Sequence, residues 1–453
     1  MAALPSTRNS AMSSQEAPLL LCQICQSWRS IAFATPRLWA AIHIVIPDQS
    51  RIQLLTDRLI FWLKRSGVVP LHISLVSSRT SEPNGDFSPL LEALTAVSRR
   101  WRNIELSWPG NMHARSRLIA VTSADVPLLE TIKINYLEDS TIGSQTFLAT
   151  KSLRSLTFPA IDNCQDVSVS WHHLRYLKIT SSWHGFLTCP AALQILQQCT
   201  ALQTCEFAVT DTGADLDGSV SKAEFSLPEL LHLSISRGNP IHGSHFFGIV
   251  SLPNLQSLYY YESRGGNQST DLELVRLLPS TPTLQCFTIH IRGLQSASLL
   301  KVLACMPNLR ELVIWEEPCK DTGISAWPPS MDEKFLEHLT LSPGSNSVVC
   351  PLLESIQFQN FSAASDETLL QFVQSRTAHQ LPCVGYLSRV VASFNRPMHV
   401  DILLHLQDAV SRGLEISLNY PASSPGNSAR IYSPLEGTND GWDWAADSWG
   451  QNW

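Results

Sequence analysis

The amino-acid sequence predicts an α/β fold organised around a long parallel sheet, and three observations carry that expectation. Eleven times the chain places an apolar residue, two others, an apolar residue, one other and a third apolar residue, beginning at Trp101, Leu129, Leu153, Leu174, Leu202, Leu230, Leu255, Leu284, Leu309, Leu336 and Leu353. All but one of the intervals fall between 21 and 29 residues, which is a leucine-rich-repeat period. The third apolar position is mostly β-branched or aromatic, as strands prefer, and helix-like spacing of apolar residues separates several triplets. One strand with its return segment cannot bury its own apolar side, so such units are expected to stack into a curved solenoid of leucine-rich-repeat type with a parallel sheet. Such a fold presents a surface for recognition.

Residues 1–16 are polar and Ser-rich and are expected to be disordered. Ala17 to Ala34 reads as one helix, because Leu21, Cys25, Trp28 and Ala32 recur at steps of four, three and four, which sets them on a common core-facing side, and Pro36 ends it. A linking helix is expected within 48–69. There Ser50 is the candidate N-cap, Ile52, Leu55, Leu59 and Trp62 form the stripe, and Gly67 stands at the C-cap. From Pro70 the period changes to two, with Leu71, Ile73 and Leu75 alternating with His72 and Ser74. The array is expected to run over 70–420. Its clearest helical returns are Pro89 to Arg100, Ala191 to Cys199, Asp271 to Leu278 and Ala297 to Cys305, while 210–225 and 319–331 read as loops. After Leu353 the repeat blurs, with a last helix over Val400 to Arg412 and a last strand through Leu414, Ile416 and Leu418. Residues 421–453, rich in Pro, Ser, Gly and Asn with four Trp among Asp residues, read as a disordered tail.

Composition narrows the function classes. A net charge of −7 without a basic block argues against nucleic acid. No uncharged run reads as a bilayer span, and the apolar stretch from Ala17 to Leu21 is too short for a signal-peptide core. Eleven scattered cysteines suit a reduced cytoplasmic or nuclear setting better than a disulfide framework.

The run from Ala17 to Ala32, APLLLCQICQSWRSIA, followed by Thr35-Pro36-Arg37-Leu38-Trp39, resembles the second half of an F-box as found in fungal F-box proteins. Pro18, Cys25, Trp28, Arg29, Pro36, Leu38 and Trp39 match that motif, which makes 17–47 a partial F-box-like segment. Residues 62–67 and 70–75 are similar to the segment joining box to repeats in that family. The resemblance implies a Skp-type adaptor as partner and membership of an SCF ubiquitin ligase. The family's opening Leu-Pro-x-Glu-Ile/Leu helix has no counterpart in residues 1–16, where Leu4-Pro5 is followed by Ser-Thr-Arg-Asn. Either the upstream sequence is cut short or adaptor binding has been lost, the matching residues then serving packing alone.

No motif for catalysis stands out. There is no Gly-x-Ser-x-Gly elbow, phosphate-cradling loop or His-Glu-x-x-His, so no catalytic residue, metal ligand or cofactor is expected. Cys22 and Cys25 lack a second ligand pair for zinc and are expected to be structural, and His172 and His173 read as loop histidines. Strand alternation supplies the candidate site. Residues beside the second and third triplet positions point away from the core, which puts Tyr176, Lys178, Tyr259, Tyr261, His290, Val313 and Trp315 on the expected concave face, where aromatic residues are suited to grip a protein target. The expected function is a non-catalytic protein-binding receptor, the substrate-recognition subunit of a ubiquitin ligase. A repeat scaffold without a ligase link and a parallel β-helix enzyme are the alternatives.

Overall fold

In a computed structural model, the structure describes residues 9–46, 49–77, 86–107, 118, 120–135, 146–160, 167–180, 187–210, 224–237, 246–262, 274–291, 295–316, 331–341, 348–361, 364–378 and 384–421. Its strands are β1 (Ala41–Ile46), β2 (Leu71–Ser77), β3 (Trp101–Ser107), β4 (Thr131–Asn135), β5 (Ser155–Pro159), β6 (Tyr176–Thr180), β7 (Leu187–Thr188), β8 (Thr204–Thr210), β9 (Phe225–Ser226), β10 (His232–Arg237), β11 (Val250–Ser251), β12 (Ser257–Glu262), β13 (Cys286–Ile291), β14 (Glu311–Glu316), β15 (Ser355–Phe361), β16 (Arg389–Phe394) and β17 (Glu415–Asn419). Fourteen of them form one continuous path of neighbours in chain order, all parallel. The short β7 pairs in parallel with the end of β8, and β9 pairs with β11 in a separate two-stranded sheet.

Register follows the triplets. Leu258, Phe287, Leu312 and Ile356 form one row across β12 to β15, and Tyr260, Ile289, Ile314 and Phe358 the next. These rows are buried and belong to one apolar core running the length of the sheet. In most units the leading residue of the triplet ends a turn. In Leu252-Pro253-Asn254-Leu255, Met306-Pro307-Asn308-Leu309 and Leu227-Pro228-Glu229-Leu230, the last N–H donates to the first carbonyl, and Pro at the second position supplies the φ that such a turn requires. Asn254 and Asn308 do more than turn the chain: each side-chain amide donates to the proline carbonyl of the preceding unit, Pro228 or Pro282, at 2.8 Å. The turn residue therefore also ties one unit to the next.

Four expectations about the array change. Leu336 leads no strand; it lies buried in the helix Glu333–Leu339, because Asp332 caps that helix by accepting from the Phe335 N–H at 2.9 Å. Two further triplets lead strands: Trp39 with Ile42 and Ile44, and Leu387 with Val390 and Ala392. The segment 17–47 thus contributes β1 as well as helix. The chain between Leu353 and Val400 holds a helix, Asp366–Ala378, and β16 in place of a blurred repeat. The last helix is divided, with a 3-10 turn at Ile402–His405 followed by Gln407–Ser411.

The N-terminal region also departs from expectation. The helix over 17–34 breaks at Cys25, whose backbone is extended, into Leu21–Ile24 and Gln26–Phe33. Of the four residues expected on its core face only Ala32 is buried; Leu21 is half-buried, and Cys25 and Trp28 are exposed. Ser50 is not the N-cap of the linking helix but lies within a 3-10 turn, Gln49–Arg51, that runs into Ile52–Arg65, while Gly67 takes the left-handed backbone expected of it at φ +56°. Residues 9–16, expected to be disordered, lie along the outer edge of β1: the Ser10 carbonyl accepts from the His43 N–H at 2.8 Å, and the Glu16 carboxylate accepts from the Ala11 N–H at 3.0 Å. Residues 1–8 and the expected tail from 422 onward lie outside the described residues.

At the opposite end Asp366 is fully buried. Its carboxylate accepts from Arg396 Nη2 at 2.6 Å, Tyr420 Oη at 2.9 Å and the N–H groups of His399 and Val400 at 2.8 and 2.9 Å. Burial pushes its pKa up, but the four donors outweigh it and hold the group at about 2. Nearby Phe394 stacks on Tyr420 at 4.1 Å and Arg396 sits over the Phe394 ring. Buried Arg376 donates to the carbonyls of Leu339, Val349 and Cys350, fastening one helix to the next return.

Candidate recognition face of the sheet

Side chains that alternate with the buried rows form a second face. On β12, β13 and β14 this face holds one aromatic cluster, because parallel register aligns Tyr261 with His290 and His290 with Trp315. The His290 ring stacks on Trp315 at 4.9 Å with 7° between planes, and Tyr261 meets it edge-on at 5.2 Å. Tyr259, one position earlier on the same face, lies 5.2 Å from the imidazole and shares a 2.9 Å hydrogen bond between its Oη and His290 Nε2. Burial lowers the His290 pKa to about 4, so the imidazole is neutral at pH 7, and burial together with the neighbouring Tyr261 pushes the Tyr259 phenol up to about 12. A neutral, preorganised aromatic surface results. Val313 flanks it in the row of Tyr259 and Thr288, and all five side chains are half-buried.

Tyr176 and Lys178 belong to a different cluster. They sit on β6, three strand steps from β12, and converge on Glu206 of β8: Tyr176 Oη donates to it at 2.9 Å and Lys178 Nζ at 2.6 Å. Burial raises the Tyr176 pKa, and the hydrogen bond to Glu206 raises it further. At about 4.8 Å per parallel step the two clusters lie roughly 14 Å apart. The seven face residues therefore fall into an aromatic cluster and a polar one. Ala208, two residues beyond Glu206 and so on the same side of β8 by strand alternation, is nevertheless buried.

The F-box-like residues separate in the same way. Pro18 and Trp39 are buried and Leu38 is half-buried; Trp39 Nε1 donates to the Ala32 carbonyl, and Trp62 Nε1 to the Trp39 carbonyl. Cys25, Trp28, Arg29 and Pro36 lie in solvent. Around Trp28 the surface is apolar: Ile24 is 54% exposed, Trp28 49% and Ile31 59%, with Phe33 and Phe61 clasping the Arg65 guanidinium at 3.4 and 4.3 Å from their ring centroids. The periodicity hid this patch because its spacing is that of a core-facing stripe.

Among the described residues no group of His, Cys, Asp and Glu could hold a metal ion, and no helix is long and apolar enough to cross a membrane. Their eight cysteines are free thiols. Compared with known proteins, the chain matches no family model, and no curated protein is similar to it in sequence.

Proposed function

We propose that this chain is a non-catalytic protein-binding receptor: a leucine-rich-repeat solenoid that holds a protein target on its concave face and works in the cytoplasm or nucleus as the substrate-recognition subunit of an SCF-type ubiquitin ligase. The observation that carries the binding reading is the cluster of Tyr259, Tyr261, His290 and Trp315 on three neighbouring strands, since Tyr and Trp offer large rigid area with a polar handle. The exposed Ile24, Trp28 and Ile31 support adaptor docking, being too many large apolar groups on one short stretch for an idle surface. A second reading, a repeat scaffold without a ligase link, draws support from Trp39, which leads a buried triplet and so has a packing role of its own. The helical returns weigh against a parallel β-helix enzyme, whose coils would be nearly all strand.

Binding of the full chain to purified Skp adaptor separates the first two readings. Adaptor binding lost on Trp28→Ala with Ile31→Ala and kept on Tyr259→Ala with Trp315→Ala would support the ligase reading; no binding by the unaltered chain would leave the scaffold. Capture of a target should show the opposite pattern, and capture unchanged by Tyr259→Ala with Trp315→Ala would dispose of the aromatic site.

A further inference from the structure

We propose that the margin of the sheet at the N-terminal ends of β5 and β6 binds an acidic segment of a partner protein. Five basic or titratable side chains gather there: Lys151 and Arg154 ahead of β5, and His172, His173 and Arg175 ahead of β6. Two contacts bring the groups together. The N–H groups of Arg175 and Tyr176 both donate to the Arg154 carbonyl, at 2.8 and 3.0 Å, which makes Arg154 and Arg175 adjacent rungs roughly 5 Å apart. Ser170 Oγ donates to the Ala149 carbonyl at 2.8 Å, which seats the turn Trp171–His173 against the turn that precedes Lys151. The His172 and His173 rings then lie 4.0 Å apart.

Among the described residues the cations Lys151, Arg154 and Arg175 lack acidic partners, and Glu130 on the rung beyond Arg154 is held by Arg102 Nε at 2.9 Å. Lys151, His172 and Arg175 are exposed. Arg154 is preorganised, since its Nη1 donates to the carbonyls of Lys151 and Leu153 at 2.7 and 3.0 Å and leaves its other N–H groups for a ligand. The His173 pKa is lowered by burial first and then by His172, Arg154 and Lys151, consistent with a local positive field.

Charge and size choose the occupant. Alternate side chains of an extended peptide stand roughly 7 Å apart on one side, a spacing that can engage Arg154 and Arg175 together. A long polyanion such as nucleic acid would leave this patch and meet the field of a chain that carries −7 overall. A short acidic segment stays within a Debye length of about 10 Å, where the local cations dominate.

The test is fluorescence anisotropy of a fluorescein-labelled octaglutamate peptide with the full chain, in low salt and at about 0.15 M salt. Saturable binding that weakens with salt, and at least about tenfold on Arg154→Gln with Arg175→Gln, is expected, while Arg310→Gln, which removes a cation already paired with Glu354, leaves it unchanged. Should that double variant unfold by circular dichroism, Lys151→Gln with Arg175→Gln, both exposed, supplies the same comparison. No saturable binding, an affinity indifferent to both double variants, or tighter binding of octauridylate than of octaglutamate would overturn the proposal.

Discussion

Acidification should loosen the aromatic site before it reaches the carboxylates, and His290 sets the size of the effect. Its pKa is lowered by burial from 6.5 to about 4, so between those values the unfolded chain binds a proton that the folded chain refuses. The stability His290 contributes as a neutral ring is therefore complete above about pH 6.5 and is lost as pH falls toward 4. From pH 7 to pH 5 the loss works out at up to about 2 kcal/mol, an upper value because the ring keeps some contact with water. Urea unfolding of the wild type and of His290→Gln at pH 7, 6 and 5 isolates it. His72 and His173, whose pKa values are also lowered, contribute alike to both proteins and cancel in the difference. The wild type should lose more stability over this range than the variant; curves that fall in parallel would refute the assignment of a neutral, burial-perturbed imidazole.

Asp366→Asn should cost about 3 kcal/mol, because it leaves Arg396 largely buried without its anion; urea denaturation at pH 7 measures it. Protonating Asp366 in the wild type should remove about 2 kcal/mol as pH drops from 5 to 2, since its folded pKa is the depressed one, and the variant should lack that component. Leu258→Ala should cost about 3 kcal/mol by opening a cavity in the middle of the core, whereas Leu128→Ser, at an exposed turn position, should stay within about 0.5 kcal/mol. Equal destabilisation by the two leucine changes would mean the buried rows are misassigned.

The parallel sheet and the shared face of the aromatic cluster were legible in residues alone. An apolar triplet at a repeat period leaves few ways to bury Leu255, Leu258 and Tyr260 together, and alternation then turns Tyr259 and Tyr261 the other way. Tyr261, His290 and Trp315 could be placed in one row because each occupies the same position in its unit. Trp28 and Leu336 show where that reasoning fails. A helical stripe has the same spacing whether it faces the core or a partner, and Leu336 has the triplet spacing inside a helix that Asp332 caps.

Along β12 to β15 the periodic sequence by itself determined which residues face the core and which share the other face, since both follow from spacing along one chain. Only the tertiary structure decided that Tyr176 and Lys178 answer to Glu206 and not to the aromatic row, and that Arg154 and Arg175 stand on neighbouring rungs with the turn at His172 beside them. It also decided that Asp366 closes the far end on Arg396 and Tyr420. Those contacts join residues from different units, where the length and path of each return fix the distance, and local sequence does not encode that path.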